Sequence, residues 1–314
     1  MRIAIVGPGA IGGLFGAVLS RGGLDVTLVD KHADRAELVN RQGIRIEGRG
    51  GTYTAAVRAV TYPLPREPVD VVLVTVKAYD TRSAAGQFAP AVGPDTVVLT
   101  VQNGLGNVEI LTEAFGAGRV LGGATNQGAN VLAPGRIDHA GVAGTLIGEL
   151  DGQLSPRARG IADAFTKAGL ETTVSDNIEG VLWTKLLINV AINPLVAVLR
   201  VRNGVLAEHD ETLELMRLAV TEAREVARAK GVKLLVDDPV ARAIEVARTT
   251  AGNIASMHQD VRHGRRTEID FITGAVVREG ERSGIPTPYN QALTLLVKSI
   301  GAVREKVVPP PEDG

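Results

Sequence analysis

An open parallel β-sheet with crossover helices, followed by an all-helical domain, is the fold class that three observations predict. Short runs of Val, Ile, Leu and Thr alternate with helical stretches through the first half of the chain. A glycine-rich turn, G-P-G-A-I-G, follows the first of those runs directly. From about Asp176 the β pattern stops and only helical periodicity remains. A length of 314 residues exceeds one ordinary core, so two domains are expected, residues 1–175 and 176–314.

The strands come first. RIAIV (2–6), DVTLV (25–29), VDVVLVTV (69–76) and TVVLTV (96–101) are nearly continuous in apolar and β-branched residues, as strands covered on both faces require. Shorter strands are expected around Val120, around Ile137, at Thr145–Glu149 and near Glu171–Val174, with a helix over Ser155–Ala168. The helical half opens with LWTKLLINVAINPL, Leu182 to Leu195. There Lys185, Asn189 and Asn193 recur every four residues and stack into one polar stripe on an otherwise apolar helix. An amphipathic helix over Glu208–Lys230 ends at Gly231, and others begin near Asp237, Glu268 and Thr287. The closing VVPPPEDG, residues 307–314, has the composition of a flexible end.

Composition narrows the function. A hydrophobic fraction of 45% and a charged fraction of 22% are those of a soluble globular protein. A net charge of −1 argues against a general nucleic-acid binder. The absence of cysteine removes disulfides, thiol nucleophiles and cysteine-based metal sites, and fits a reducing compartment. The N-terminus imitates a signal peptide, but its glycines have a better explanation and no small-residue cleavage site follows. Val181–Leu199 is interrupted by Lys185, two asparagines and Pro194, too polar for a membrane span. The expected location is the cytoplasm, with no membrane or nucleic-acid partner.

The glycine turn carries the first chemistry. Gly7 permits the tight turn, Gly9 lets the backbone approach a pyrophosphate, and Gly12 lets the helix pack closely on the strand. With Ala10 and Ile11, these residues open a helix whose free N–H groups face phosphate charge. A glycine motif after a strand, opening a helix, with Asp30 ending the second strand, is the context of a Rossmann-type dinucleotide site. Asp30 favours NAD(H), because a carboxylate there accepts the ribose 2′-OH and repels a 2′-phosphate. Lys31, with His32 beside it, favours NADP(H) by pairing with that phosphate. Lys77 and Asn103 follow two further strands and would lie near the ribose and nicotinamide, although Asn-Gly also favours a turn without any ligand.

The second group of candidates is Asn253, Ser256 and Glu268. Glu268 is expected in the first turn of a helix running through Phe271 and Ile272, where an acid is favourable against the dipole with or without a catalytic role. His258 and His263 read as surface residues, and without a convergent set of His and acidic ligands no metal is expected.

Together these motifs resemble the ketopantoate reductase family (2-dehydropantoate 2-reductases) over nearly the whole chain. The resemblance rests on GPGAIG, VKAYDT, VQNGLGN, WTKLLINVAINP and SMHQDVRHGRRTEID, all in the family's order, the last two being the most specific. It implies NADPH-dependent reduction of 2-dehydropantoate to pantoate on the route to pantothenate and coenzyme A. Lys185 then becomes the general acid and Glu268 its accompanying acid. Asn103, Asn189, Asn193, Asn253 and Ser256 become substrate-pocket positions, and Lys77 a cofactor-side one. The stripe on the junction helix would face the cleft between the domains. The family often carries a basic residue near the end of the second strand; here Asp30 and Lys31 stand there, so NADP(H) is favoured and NAD(H) remains open. The partner is a small keto acid, and the apolar faces of a helical domain allow a homodimer. Two rivals of the same fold are a reductase of another 2-keto acid and a 3-hydroxy-acid or 6-phosphogluconate-type dehydrogenase. A rival of another class is a non-catalytic NADP(H) sensor, which would not need Lys185, the asparagine stripe, Glu268 and Ser256 together.

Overall fold

The computed structural model describes residues 1–64 and 66–303. Residues 307–314, read as a flexible tail, lie outside the described residues. The chain forms two compact units, Met1–Leu182 and Trp183–Gly314.

Among the described residues, twelve strands lie in the first unit: β1 (Arg2–Val6), β2 (Asp25–Asp30), β3 (Ile44–Gly48), β4 (Tyr53–Ala55), β5 (Arg58–Thr61), β6 (Val71–Val74), β7 (Val97–Thr100), β8 (Val120–Thr125), β9 (Gly128–Ala133), β10 (Arg136–Gly141), β11 (Thr145–Glu149) and β12 (Thr172–Val174). Its helices are α1 (Ala10–Arg21), α2 (Ala33–Gln42), α3 (Thr81–Phe88), α4 (Asn107–Phe115) and α5 (Pro156–Lys167). Eight strands make the main sheet in the order β12-β11-β8-β7-β6-β1-β2-β5. It is parallel except where β11 runs antiparallel to β8. The expected continuous runs are its centre: every residue of β6, β7 and β8 is buried. Helices on both faces cover them, giving one apolar cluster around Phe15, Leu28, Leu73 and Phe165 and another around Val72, Phe88, Val98 and Leu111.

A second sheet, β4-β3-β10-β9, was not expected. Its strands carry Arg, Glu, Asp and His between apolar residues, as in IRIEG and RIDHAG, because only one face is covered. That face packs on α1, where Gly13 leaves room for Ile137 and Ile44.

The second unit is helical: α6 (Ile178–Leu199), which starts in the first unit, then α7 (Asp210–Ala229), α8 (Pro239–Thr249), α9 (Ser256–Arg262), α10 (Thr273–Ser283) and α11 (Pro288–Val303). The units divide at Leu182, several residues after the change of periodicity, because Ile178 and Val181 pack with Ala124 of the main sheet. Helix α6 is long and apolar enough to cross a membrane, yet Leu187, Val190, Ala191, Val196 and Ala197 are fully buried in protein. α7 buries Met216, Ala219, Val220, Ala223 and Val226 on one face. Its Glu222 accepts from the backbone N–H groups of Tyr289 and Asn290, both at 2.9 Å, and so caps α11 from a neighbouring helix.

Candidate active site

In the first unit the glycine turn has the expected form. Gly7 has φ +91°, the left-handed region, and a Cβ there would lie 2.6–2.8 Å from Val76. A Cβ on Gly12 would lie 2.5 Å from the Gly7 carbonyl oxygen. A Cβ on Gly9 would meet nothing within 4 Å. Two of the glycines are therefore demanded by packing of the protein on itself. The third faces open space at the N-terminus of α1, where the N–H groups of Ala10, Ile11 and Gly12 begin the helix. That combination fits the pyrophosphate of a dinucleotide. Thr75 fastens the turn from β6, its hydroxyl donating to the carbonyls of Val6 (3.1 Å) and Gly7 (2.9 Å).

Asp30 ends β2 and is buried. Its Oδ1 accepts from the His32 backbone N–H at 3.0 Å and from Arg35 Nη2 at 2.6 Å. Lys31 is exposed and its Nζ lies 3.4 Å from Asp80 Oδ2. Lys77 follows β6 and precedes the short turn Ala78–Asp80. Asn103 follows β7, and its carbonyl accepts from Asn107 Nδ2 at 3.1 Å. Its neighbour Gln102 is buried and braces this end of the sheet, donating to the Val76 carbonyl (2.7 Å) and to Thr81 Oγ1 (2.9 Å). The sequence did not single out Arg35, which stands in no motif, or the Lys31–Asp80 pair, which joins distant segments.

In the second unit Lys185 is partly buried on α6. Loss of water lowers its ammonium pKa to about 8, against the opposing pull of the Glu268 carboxylate, which raises it. These two predicted residues are thus brought into electrostatic contact. Asn193 is buried further along the stripe. Asn189 is partly buried, and its enclosed Nδ2 has no hydrogen-bond partner among the described residues. A buried donor without an acceptor costs free energy unless a ligand supplies one. Glu268 is buried, but it is not inside a helix: it precedes the short 3-10 turn Ile269–Phe271, and α10 starts only at Thr273. The chain bends at Ile272 (φ −108°, ψ −97°), which breaks the single helix that periodicity suggested. Ser256 opens α9 and is exposed; Asn253 lies exposed in the preceding loop, its carbonyl accepting from the Asn203 N–H at 3.1 Å. His258, expected at the surface, is buried with Nδ1 3.1 Å from the Val201 carbonyl, whereas His263 is exposed. Among the described residues no cluster of His and acidic side chains could hold a metal ion.

Comparison with known proteins places the geometry in a family. The model of the ketopantoate reductase PanE/ApbA family matches residues 3–152, and that of its C-terminal part matches residues 177–301. The 2-dehydropantoate 2-reductase of Halobacterium salinarum is 39% identical over 95% of this chain and 98% of its own. That of Archaeoglobus fulgidus is 36% identical over 95% and 97%. Among solved structures, a 2-dehydropantoate 2-reductase from Geobacter metallireducens superimposes with a TM-score of 0.90 at 31% identity, covering 95% of this chain and 99% of that one. A D-mandelate dehydrogenase with NADH and anilino(oxo)acetate also gives 0.90, at 28% identity, covering 97% and 100%. With a dinucleotide-type glycine turn in one unit, a lysine–glutamate pair in the other and likeness over the full length, the chain belongs to the ketopantoate reductase family.

Proposed function

We propose that the protein reduces 2-dehydropantoate to pantoate in the cytoplasm, on the route to pantothenate and coenzyme A. The observation that carries this reading is the Lys185–Glu268 pair, a desolvated ammonium held against a buried carboxylate. The residues of the glycine turn would hold the dinucleotide, and a bound reduced nicotinamide supplies the hydride. As the keto carbon accepts that hydride, its C=O electron pair collapses onto oxygen. The Lys185 ammonium stabilises the growing charge and donates its proton there, leaving a hydroxyl on the product and a neutral amine on Lys185. The Glu268 carboxylate favours the protonated ammonium, against the lowering by burial. Asn189, with its unpartnered donor, binds the substrate's carboxylate or hydroxyl, and Asn193, Asn253, Ser256 and Asn103 complete the polar contacts. Lys31 supports NADPH as donor and Asp30 supports NADH; the choice turns on how each is paired.

A second reading keeps the chemistry and changes the acid. It is favoured by the TM-score of 0.90 to a D-mandelate dehydrogenase, a member of the same fold whose structure holds an aryl-substituted oxoacid. Initial rates with 2-dehydropantoate and with a panel of aliphatic and aryl 2-keto acids, each with NADPH and NADH, test both. The expected result is the highest kcat/KM with 2-dehydropantoate. Turnover confined to an aryl keto acid would replace the substrate and keep the mechanism. Tight dinucleotide binding with no turnover of any keto acid would sink the reductase reading.

A further inference from the structure

The segments VKAYDT and VQNGLGN bring Lys77 and Asn103 to the ends of β6 and β7, and each closes on a buried polar residue that the reaction does not use, Thr81 and Asn107. One run of hydrogen bonds joins the two segments, each side chain donating to the next. The Thr100 hydroxyl donates to Gln102 Oε1 (2.9 Å), and Gln102 Nε2 donates to Thr81 Oγ1 (2.9 Å). The Thr81 hydroxyl donates to Asn107 Oδ1 (2.9 Å), and Asn107 Nδ2 donates to the Asn103 carbonyl (3.1 Å). Gln102 Nε2 also donates to the carbonyl of Val76, the residue before Lys77 (2.7 Å). Thr100, Gln102, Thr81 and Asn107 are buried, and among the described residues none of the four keeps an enclosed side-chain polar atom without a partner. Thr81 opens α3 and Asn107 opens α4, so the run ties two strand ends to two helix starts, at the edge of the sheet where ligands bind.

Apolar residues of matching shape would hold these elements together about as firmly. A run in one direction adds something else. Each donor polarises the next, and inside the protein one missing link leaves its neighbours unpaired, so a single arrangement satisfies them all. We infer that Thr81 and Asn107 are positioning residues for hydride transfer, fixing the spacing of Lys77 and Asn103 through Gln102 and two backbone carbonyls. The inference rests on the proposed reductase reading, in which Lys77 and Asn103 lie near the ribose and nicotinamide. Thr81 (0% exposed) and Asn107 (3%) are closed off from any ligand, so they act through the backbone of residues that meet it. A displacement of about 1 Å at the reacting groups costs about 10²-fold in rate, so a slackened link should cost about ten-fold.

The test is the single-turnover rate of reduced-nicotinamide oxidation in full-length Thr81→Val and Thr81→Ser. KM for the keto acid and dinucleotide Kd by fluorescence titration are measured beside it. The keto acid is 2-dehydropantoate, or whichever acid of the panel above wild type turns over fastest. Valine keeps the shape of threonine and removes the hydroxyl, whereas serine keeps the hydroxyl. Thr81→Val should lower the rate about ten-fold and leave KM and Kd within about two-fold, and Thr81→Ser should recover most of the rate. Asn107→Ala severs the last link. Combined with Thr81→Val it should be no slower than the slower single variant, because a run broken once is already broken. If Thr81→Val does not melt as wild type does, Asn107→Ala alone is held to the same limits on rate, KM and Kd. A wild-type rate in folded Thr81→Val, a loss that serine does not recover, or a loss matched by weaker dinucleotide binding overturns the inference, as do losses that add in the double variant. A wild type that turns over no keto acid removes the reductase reading and this role with it; failure of the role alone leaves wild-type turnover intact.

Discussion

Lys185 sits where burial and a neighbouring charge oppose each other, and burial wins, bringing the ammonium to about 8 from 10.5. As a general acid it must be protonated, so kcat should be level at neutral pH and fall as pH rises through about 8. Glu268→Gln removes the opposing pull, so this alkaline limb should move to lower pH, which a pH–rate profile of the variant checks. Lys185→Ala should lower kcat by about 10²–10⁴-fold while dinucleotide fluorescence titration stays near wild type. Stability responds with the opposite sign. A folded value below the unfolded one means the charged lysine opposes folding at pH 7, and the cost fades between about 8 and 10.5. Replacing both charges, Lys185→Met with Glu268→Gln, should therefore raise the free energy of unfolding at pH 7 by about 1–3 kcal/mol, in a variant without activity. The stripe of Lys185, Asn189 and Asn193 was legible from spacing alone. Its state was not: the desolvation and the Glu268 charge come from segments that only the fold assembles.

At the scale of the element, the glycine turn makes a paired prediction. Gly12→Ala places a methyl against the Gly7 carbonyl and should destabilise the first unit by about 1–3 kcal/mol, read as a lower melting temperature. Gly9→Ala adds a methyl to open space, so melting should be unchanged while NADH and NADPH binding are lost; retained binding would separate Gly9 from the dinucleotide. This turn and the buried strands were readable because one local rule governs each of them. The sheet β4-β3-β10-β9 was not, since strands such as YTA are short and half-covered and give no continuous apolar run. Glu268 shows the converse failure. Helical periodicity continues through Phe271, but the bend at Ile272 is a backbone choice that hydrophobic pattern does not encode. The Lys31–Asp80 pair was invisible for another reason, because it joins segments that only the sheet brings together.

For the molecule as a whole, a ligand that binds only the folded protein must stabilise it by mass action. At about one hundred times its dissociation constant, a dinucleotide should add about 2.7 kcal/mol. Thermal melts with NADH and NADPH at matched concentrations should rank the two as fluorescence titration does. The order of folds along the chain was evident in sequence, where β periodicity gives way to helical. The point at which the units divide was not, because the first turn of α6 is helical by pattern yet sheet-bound by packing.

The Lys31–Asp80 pair depends on the medium. Both side chains stand well out in solvent. The Debye length shrinks from about 10 Å in 0.1 M salt to about 3 Å in 1 M. The attraction between Lys31 and Asp80 should fade over that range, while the partly buried Lys185 beside the buried Glu268 keeps its electrostatics. Raising the salt should therefore loosen the ion pair at the strand end and leave the alkaline limb of the reacting lysine where it stands.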